Sequence, residues 1–427
     1  MNRQTATHYI RSFIPGRTTL EQEVLYLPPS LHDKIEGFGQ LTLGTNNQIS
    51  IFNAIKILAK AYPEVKSALS FSSTPIGQLI DDTIVENNTD NWFDTILLYR
   101  PDMLISKGSH VYTNELEIVV GGICTISLLQ HYLYGEYKLL SSLITQMRHC
   151  QEKFGLKGHI AFLADRNGAA EINGFKWVPD HLGDDVIVAA IEQLDFKNDG
   201  VYFGKKKISV AHIYIKAHKL REKIIEKDEL LLQHWLARNI ALISPPSLIL
   251  DNKLIMYFLQ HPKYQLSLQQ SLGSKRYREI QSYLPTTYIL ESGIKNSDDR
   301  LHDIIRAPWN HGRFIVKYPS LWGSRKMIAS PEQASGQFEW REQLNAMHVQ
   351  SANYGPLLIQ EMIDVQRIPF MENGQKINGI TKYTPFFTHD IFQKNVTLQA
   401  LAVNVTPSGF QAHIDENSRF ALVEKSR

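Results

Sequence analysis

Residues 100–117 read RPDMLISKGSHVYTNELE. Two β-rich runs, TILLY at 95–99 continuing through PDMLIS and VYTNELEIV from Val111, flank the turn KGSH at 107–110. That pattern predicts a β-hairpin. Successive side chains of a strand point to opposite faces, so Glu115 and Glu117 share one face, with Asp102 on the facing strand. Carboxylates gathered on one face repel, and a divalent cation that favours hard oxygen ligands, Mg2+ first among them, removes the repulsion. The other reading is a solvated hairpin face on which Arg100 or Lys107 pairs with the acids. Spacing alone leaves both open.

The basic residues lie further along. Lys253 sits in LILDNKLIMYFL (248–259) and Lys317 in FIVKYP (314–319), where an ammonium amid apolar neighbours needs an anion beside it. Nucleotide phosphates would supply one; a side chain that snorkels to solvent is the alternative. After Lys317 comes SLWGSRK (320–326), a loop suited to cover phosphates with the backbone N–H groups around Gly323 and Ser324 and with Arg325. The strand PLLIQEMID then offers Gln360, Glu361, Met362 and Ile363 as an edge for adenine, with Asp364 near a ribose. Read without a ligand, it is a core strand ending in a solvated acid.

The chain has 427 residues, 43% hydrophobic, with a formal charge of +2, enough for two or three cores and too balanced for a nucleic-acid or acidic-membrane footprint. The two cysteines, Cys124 and Cys150, fit no metal spacing and read as buried thiols in a reducing compartment. The N-terminal stretch has no signal-like apolar run, and IVVGGICTISLL (118–129) is too short to span a bilayer. A cytoplasmic protein is expected. There is no GxxxxGK[ST], no GxGxxG after a strand, no HExxH and no GxSxG, and the His residues are scattered, which leaves zinc catalysis and the common serine-hydrolase designs unsupported.

Apolar residues at helical spacing predict one helix through ISLLQHYLYGEYKLLSSLITQMRHCQEKFG, stopping at Gly155. From His159 short apolar strands alternate with helical stretches, including a charged helix from Lys216 to about Arg238, so an α/β layer with some parallel pairing is expected. Pro245 and Pro246 then break the chain before a helix holding Lys253, with a boundary near residue 243. A short helix after LPTTYIL, a polar helix around 331–350 and a last hairpin, VTLQALAVNVTPSGFQAHID, complete the pattern.

The order of these pieces resembles the circularly permuted ATP-grasp ligases, most closely the synthetase domain of glutathionylspermidine synthase. That family carries Arg-x-Asp, then Glu-x-Asn, whose acids and amide hold magnesium, ahead of its nucleotide lysines, and this chain has RPD at 100–102 and ELE at 115–117. It also has SPPSLILDNKLIMYFLQHP (244–262), KYPSLWGSRK (317–326) and YGPLLIQEMID (354–364) where the family shows a Pro-Pro turn with Asn-Lys and His-Pro, a second lysine with its loop, and a hinge strand. Glu117 stands for the family's asparagine, Trp322 and Lys326 stand in the loop, and HID at 413–415 takes the place of an arginine before SRF.

The resemblance implies a mixed α/β, circularly permuted ATP-grasp fold with an inserted Rossmann-like (pre-ATP-grasp) α/β domain. Its parts are an N-terminal region with the metal hairpin (1–135), the Rossmann-like domain (136–243), and the lid and nucleotide lobe (244–427). It implies ATP and Mg2+, with Asp102, Glu115 and Glu117 on the metal, Lys253 and Lys317 on the phosphates, Arg100 at the transferring phosphoryl group and Arg325 closing over it. The activity implied is carboxylate–amine ligation of small-molecule or peptide substrates through an acyl phosphate. A kinase using the same grasp and a non-catalytic nucleotide-binding or protein-contacting relative are the rivals.

Overall fold

The computed structural model describes residues 18–44, 49–71, 73–86, 96–165, 174–215, 217–221, 224–290, 314–319, 328–330, 337–372, 375–406 and 419–426. In chain order the strands are β1 (Thr18–Leu27), β2 (Leu98–Ile105), β3 (Val111–Glu117), β4 (His159–Ala164), β5 (Val186–Ala190), β6 (Asp195–Lys197), β7 (Gly200–Phe203), β8 (Lys206–Tyr214) and β9 (Ala241–Ile243). The second half adds β10 (Thr287–Leu290), β11 (Phe314–Lys317), β12 (Ile328–Ser330), β13 (Leu357–Glu361), β14 (Arg367–Glu372), β15 (Gln375–Asp390), β16 (Asn395–Thr406) and β17 (Arg419–Lys425).

They form three sheets. The largest runs β1-β17-β16-β15-β2-β3, with β14 also on β15, and among the described residues only β1 and β17 of this sheet pair in parallel. A second sheet, β5-β4-β8-β7-β6, has parallel pairing of β4 with β5 and β8 and of β9 with β8. The third, β10-β13-β11-β12, is small and antiparallel. The expected hairpin and the α/β layer with parallel strands are both present.

Local chemistry accounts for the elements that frame the large sheet. Ser50 caps the helix Ile51–Ala61 by accepting from the Asn53 N–H at 3.0 Å, and Ile51, Ile55, Leu58 and Ala59 bury one face at helical spacing. The helix Pro29–Leu43 packs on β15, β16 and β17, and there Gly39 lies against the ring of Phe387, itself buried beside Tyr99. A methyl group at Gly39 has nowhere to go. Gly39→Ala is therefore expected to lower stability by about 1–3 kcal/mol despite alanine's better helix propensity, read as a lower urea midpoint at unchanged m-value.

Several expectations change in detail. The single helix predicted over 126–155 is two, Ile123–Tyr134 and Lys138–Lys153, because Gly135 takes φ 74° and its N–H caps the His131 carbonyl at 2.8 Å. The charged helix begins at Glu226 rather than Lys216, since Ala217–Arg221 coils as a short 3-10 turn. The last hairpin pairs β16 with Arg419–Lys425, while its turn and QAHID lie outside the described residues. The short helix expected after LPTTYIL lies there as well, and of the polar helix the described part is Gln337–Tyr354. β14, β15 and the pairing of β1 carry no expectation from sequence. Cys124 and Cys150 are buried and in no disulfide, as predicted. Among the described residues no helix is long and apolar enough to cross a membrane.

Candidate functional site

The site lies where the hairpin of the large sheet meets the small sheet. In β2 and β3, Arg100 is opposite Glu117 and Asp102 opposite Glu115, but the register slips between Asp102 and Met103. Met103 faces Thr113, so Asn114 is the extra residue of a β-bulge. The hairpin thus presents Asp102, Glu115 and Glu117 with carboxylate oxygens all within 4.8 Å of one another. The solvated-face reading fails here, because Asp102 is only 2% and Glu117 only 5% exposed.

Four cations converge on this cluster from four strands or loops. Arg100 bonds Glu117, donates to the Gly121 carbonyl at 2.9 Å and stands 3.8 Å from Asp102, with the Phe386 ring against it. Lys382, from β15, donates to Asp102 Oδ2 at 2.7 Å. Lys253 pairs with Glu115. Lys317, at the end of β11, donates to Gln360 Oε1 at 2.8 Å and to Asn114 Oδ1 at 3.2 Å.

Strand alternation explains Lys317. Phe314 and Val316 of β11 enter the small sheet's own core with Trp340, Leu344, Leu357 and Ile359, which turns Ile315 and Lys317 to the other face. Gln360 of β13, next to Ile315 in register, points to that same face. It is braced by donation to Thr287 Oγ1 at 3.2 Å. The ammonium is buried (2% exposed), and burial pushes its pKa down to about 7, with Lys253 adding to the fall and Glu115 opposing it.

Lys253 is set by a buried turn. Asp81 accepts from Ser70 Oγ at 2.7 Å, Ser247 Oγ at 2.9 Å and the Leu248 N–H at 3.1 Å, fixing the segment after the two prolines. Asn252 then donates to the Leu69 carbonyl at 3.0 Å and accepts from the Leu254 N–H at 3.0 Å, while Lys253 N–H meets the Pro319 carbonyl at 3.2 Å. Lys253 therefore stands at the N-cap of the helix Leu254–Gln260, tied directly to the segment that follows Lys317.

The carboxylates differ. Burial would raise Asp102, but Lys382 and Arg100 hold it below the usual carboxylate range. Burial pushes Glu117 up to about 8, with Arg100 opposing and the carboxylates of Asp102 and Glu115 adding to the rise. A carboxyl that ionises with such difficulty gains most from a divalent cation beside it. Asp102 Oδ1 is a buried oxygen with no hydrogen-bond partner. Three oxygen donors, one of them orphaned, fit Mg2+.

Of the predicted residues, Arg100, Asp102, Glu115, Glu117, Lys253, Lys317 and Gln360 come together. Glu361 turns outward and accepts from Thr286 Oγ1 at 2.7 Å. Met362 and Ile363 follow the strand, half-buried, and Asp364 is exposed and paired with Lys107 at 2.9 Å. Gly323, Ser324 and Arg325, with Trp322 and Lys326, lie outside the described residues. Sequence reasoning missed Lys382, Asn114 and Asp81. Lys382 had a signal, a lysine inside the apolar run GITKYTPFF; Asp81 had another, an acid beside the apolar stripe of the helix Pro75–Glu86.

No family model and no curated protein matches the chain. Among solved structures, it is similar to a glutathione synthetase-like effector from Globodera pallida in its apo form, at 10% identity and TM-score 0.51, covering 94% of this chain and 89% of that one. A D-alanyl-alanine synthetase A from Vibrio cholerae aligns at 9% identity and TM-score 0.28, over 63% of this chain and 88% of the other. The first likeness shows a shared fold; the second is too low to bear on it.

Proposed function

We propose that the protein is an ATP-dependent carboxylate–amine ligase of the circularly permuted ATP-grasp type, forming an amide through an acyl phosphate and releasing ADP and phosphate. The observation that carries this reading is the convergence of three clustered carboxylates and four buried or nearly buried cations on one point between two sheets. A structural ion-pair network has no need of a fourth cation, and Lys317 finds only amide and carbonyl acceptors. A lysine held at that cost is one waiting for an anion. The order of the parts, hairpin acids before both lysines, supports the permuted form.

In this reading Asp102, Glu115 and Glu117 would hold Mg2+. The bound ion would neutralise charge on the phosphates. Lys317 and Lys253 bind the phosphates, Lys253 exchanging Glu115 for a phosphate oxygen and so returning Glu115 to the metal. Arg100, fixed by Glu117 and the Gly121 carbonyl, stabilises charge as the phosphoryl group moves to the substrate carboxylate. The segment Gln360–Ile363 lines the adenine, and Arg325 closes the loop over the phosphates.

The test is to incubate the protein with Mg-ATP and panels of acids and amines and to follow ADP and phosphate. Release that requires both an acid and an amine is expected. A stable phosphorylated product without an amine would make it a kinase, and tight ATP binding without turnover on any panel a non-catalytic binder. A folded sample that binds no ATP sinks the reading.

A further inference from the structure

The helix Pro29–Leu43 lies on the large sheet through Leu31, Ile35 and Phe38, which are buried at helical spacing. On the flank of that stripe His32 and Glu36 are four positions apart and so are neighbours, with Asp33 beside them. The three side chains each offer one donor atom, a ring nitrogen and two carboxylate oxygens, and these lie within 4.8 Å of one another. They share no residue with the cluster of Asp102, Glu115 and Glu117. Solvated acids on a helix need no ligand to explain them, and Asp33 already has Lys425 at 2.6 Å. His32 is different. Its Nδ1 is buried and has no hydrogen-bond partner. Burial holds its pKa below the ordinary 6.5 against the pull of Glu36, with Lys425 adding to the fall and Asp33 opposing it, so at pH 7 the ring is in the neutral form that ligates metals. His32 and Glu36 also line a cleft of about 480 Å3 between this helix, β16, β17 and the end of the helix Ile123–Tyr134, where Gln130 and Tyr134 face them.

An imidazole among carboxylates suits Zn2+ and its transition-metal neighbours, whereas Mg2+ takes oxygen donors alone. Bonds of about 2.1 Å to nitrogen and oxygen place tetrahedral donors about 3.4 Å apart. Donors already within 4.8 Å therefore need to close by at most about 1.4 Å, and none of the three side chains is fully buried, so they can turn. We propose that His32, Asp33 and Glu36 form a binding site for one divalent transition ion of the Zn2+ class, with the cleft admitting water to its open position. Three protein ligands leave that position free. Lys425 is the competitor: binding moves Asp33 from the ammonium to the ion, an exchange that costs little because both partners of the pair are about half exposed. The site stands apart from the ligase reading and uses none of its residues.

The test is a calorimetric titration of Zn2+ into the full chain, with Mg2+ in excess throughout to occupy the all-oxygen cluster. It contains no nucleotide, so failure of the ligase reading would leave its outcome untouched. One Zn2+ per chain is expected for the wild type. His32→Ala should weaken that binding by at least about 100-fold, the upper end of what even an outer-shell partner of a metal is worth. Lys425→Ala, which frees Asp33, should tighten it by about 2–5-fold, the value of a surface ion pair. Zn2+ should also raise the urea midpoint of the wild type and not that of His32→Ala. If His32→Ala does not fold, Glu36→Gln decides in its place, with a loss of at least about 10-fold expected. A folded wild type that binds no Zn2+, undiminished affinity in the folded ligand variant, or binding that Lys425→Ala leaves unchanged or weakens overturns the proposal.

Discussion

Lys317→Met is expected to weaken ATP binding by at least ~100-fold, which at about 1.4 kcal/mol per decade means the loss of about 3 kcal/mol, while the protein stays folded. Of the four cations at the site, it has no carboxylate among its hydrogen-bond partners. Removing it relieves the burial of an ammonium and forfeits bonds to Asn114 and Gln360, two effects of similar size, so stability near pH 7 should change by no more than ~1 kcal/mol. Calorimetric titration with ATP and a urea melt on the same sample separate the two. A pH series reads the buried ammonium directly. The folded pKa, about 7, lies below the ordinary value of 10.5, so between these values the unfolded chain holds a proton that the folded chain does not. Stability from this group therefore rises with pH from about 7 to about 10, and Lys317→Met should flatten that rise. ATP binding by the wild type should take up a proton above pH 7, seen as a dependence of the binding enthalpy on buffer. Undiminished ATP affinity in Lys317→Met would remove the centre of the functional reading.

Asp102→Ala should have the largest effect on stability, about 3–5 kcal/mol, because it strips Lys382 of its anion and leaves Arg100 facing another cation in a buried site. The sign with pH follows from the direction of its shift. Its folded pKa is depressed, so its contribution is present above the unfolded value of 3.8 and is lost as pH falls through the lower folded value. The deficit of the variant should thus be seen in urea melts at neutral pH and shrink in acid. Asp102→Asn, which keeps an oxygen for Lys382, should fall between the two in stability yet lose the stabilisation that Mn2+ gives the wild type. Equal stability of wild type and Asp102→Ala at pH 7 would show that the cluster is not the buried network described.

Features that depend on neighbours along the chain were legible in the linear pattern. The period-2 run through VYTNELE made the hairpin and put Glu115 and Glu117 on one face, and the apolar company of Lys253 and Lys317 marked them as cations in need of an anion. Even the order of acids and lysines, which carries the resemblance to permuted ATP-grasp enzymes, is a property of the linear chain. Local pattern could not find Gly135, because apolar spacing continues across it and only the left-handed backbone there divides the helix. Nor could it find partners. Lys382 meets Asp102 across 280 positions and Lys317 meets Asn114 across 203. Those contacts rest on strand order and on a one-residue bulge, and a slip of one residue would turn each side chain to the opposite face. Which carboxylate oxygens are already bound by a cation is a matter of register between strands far apart in sequence, which no local pattern encodes.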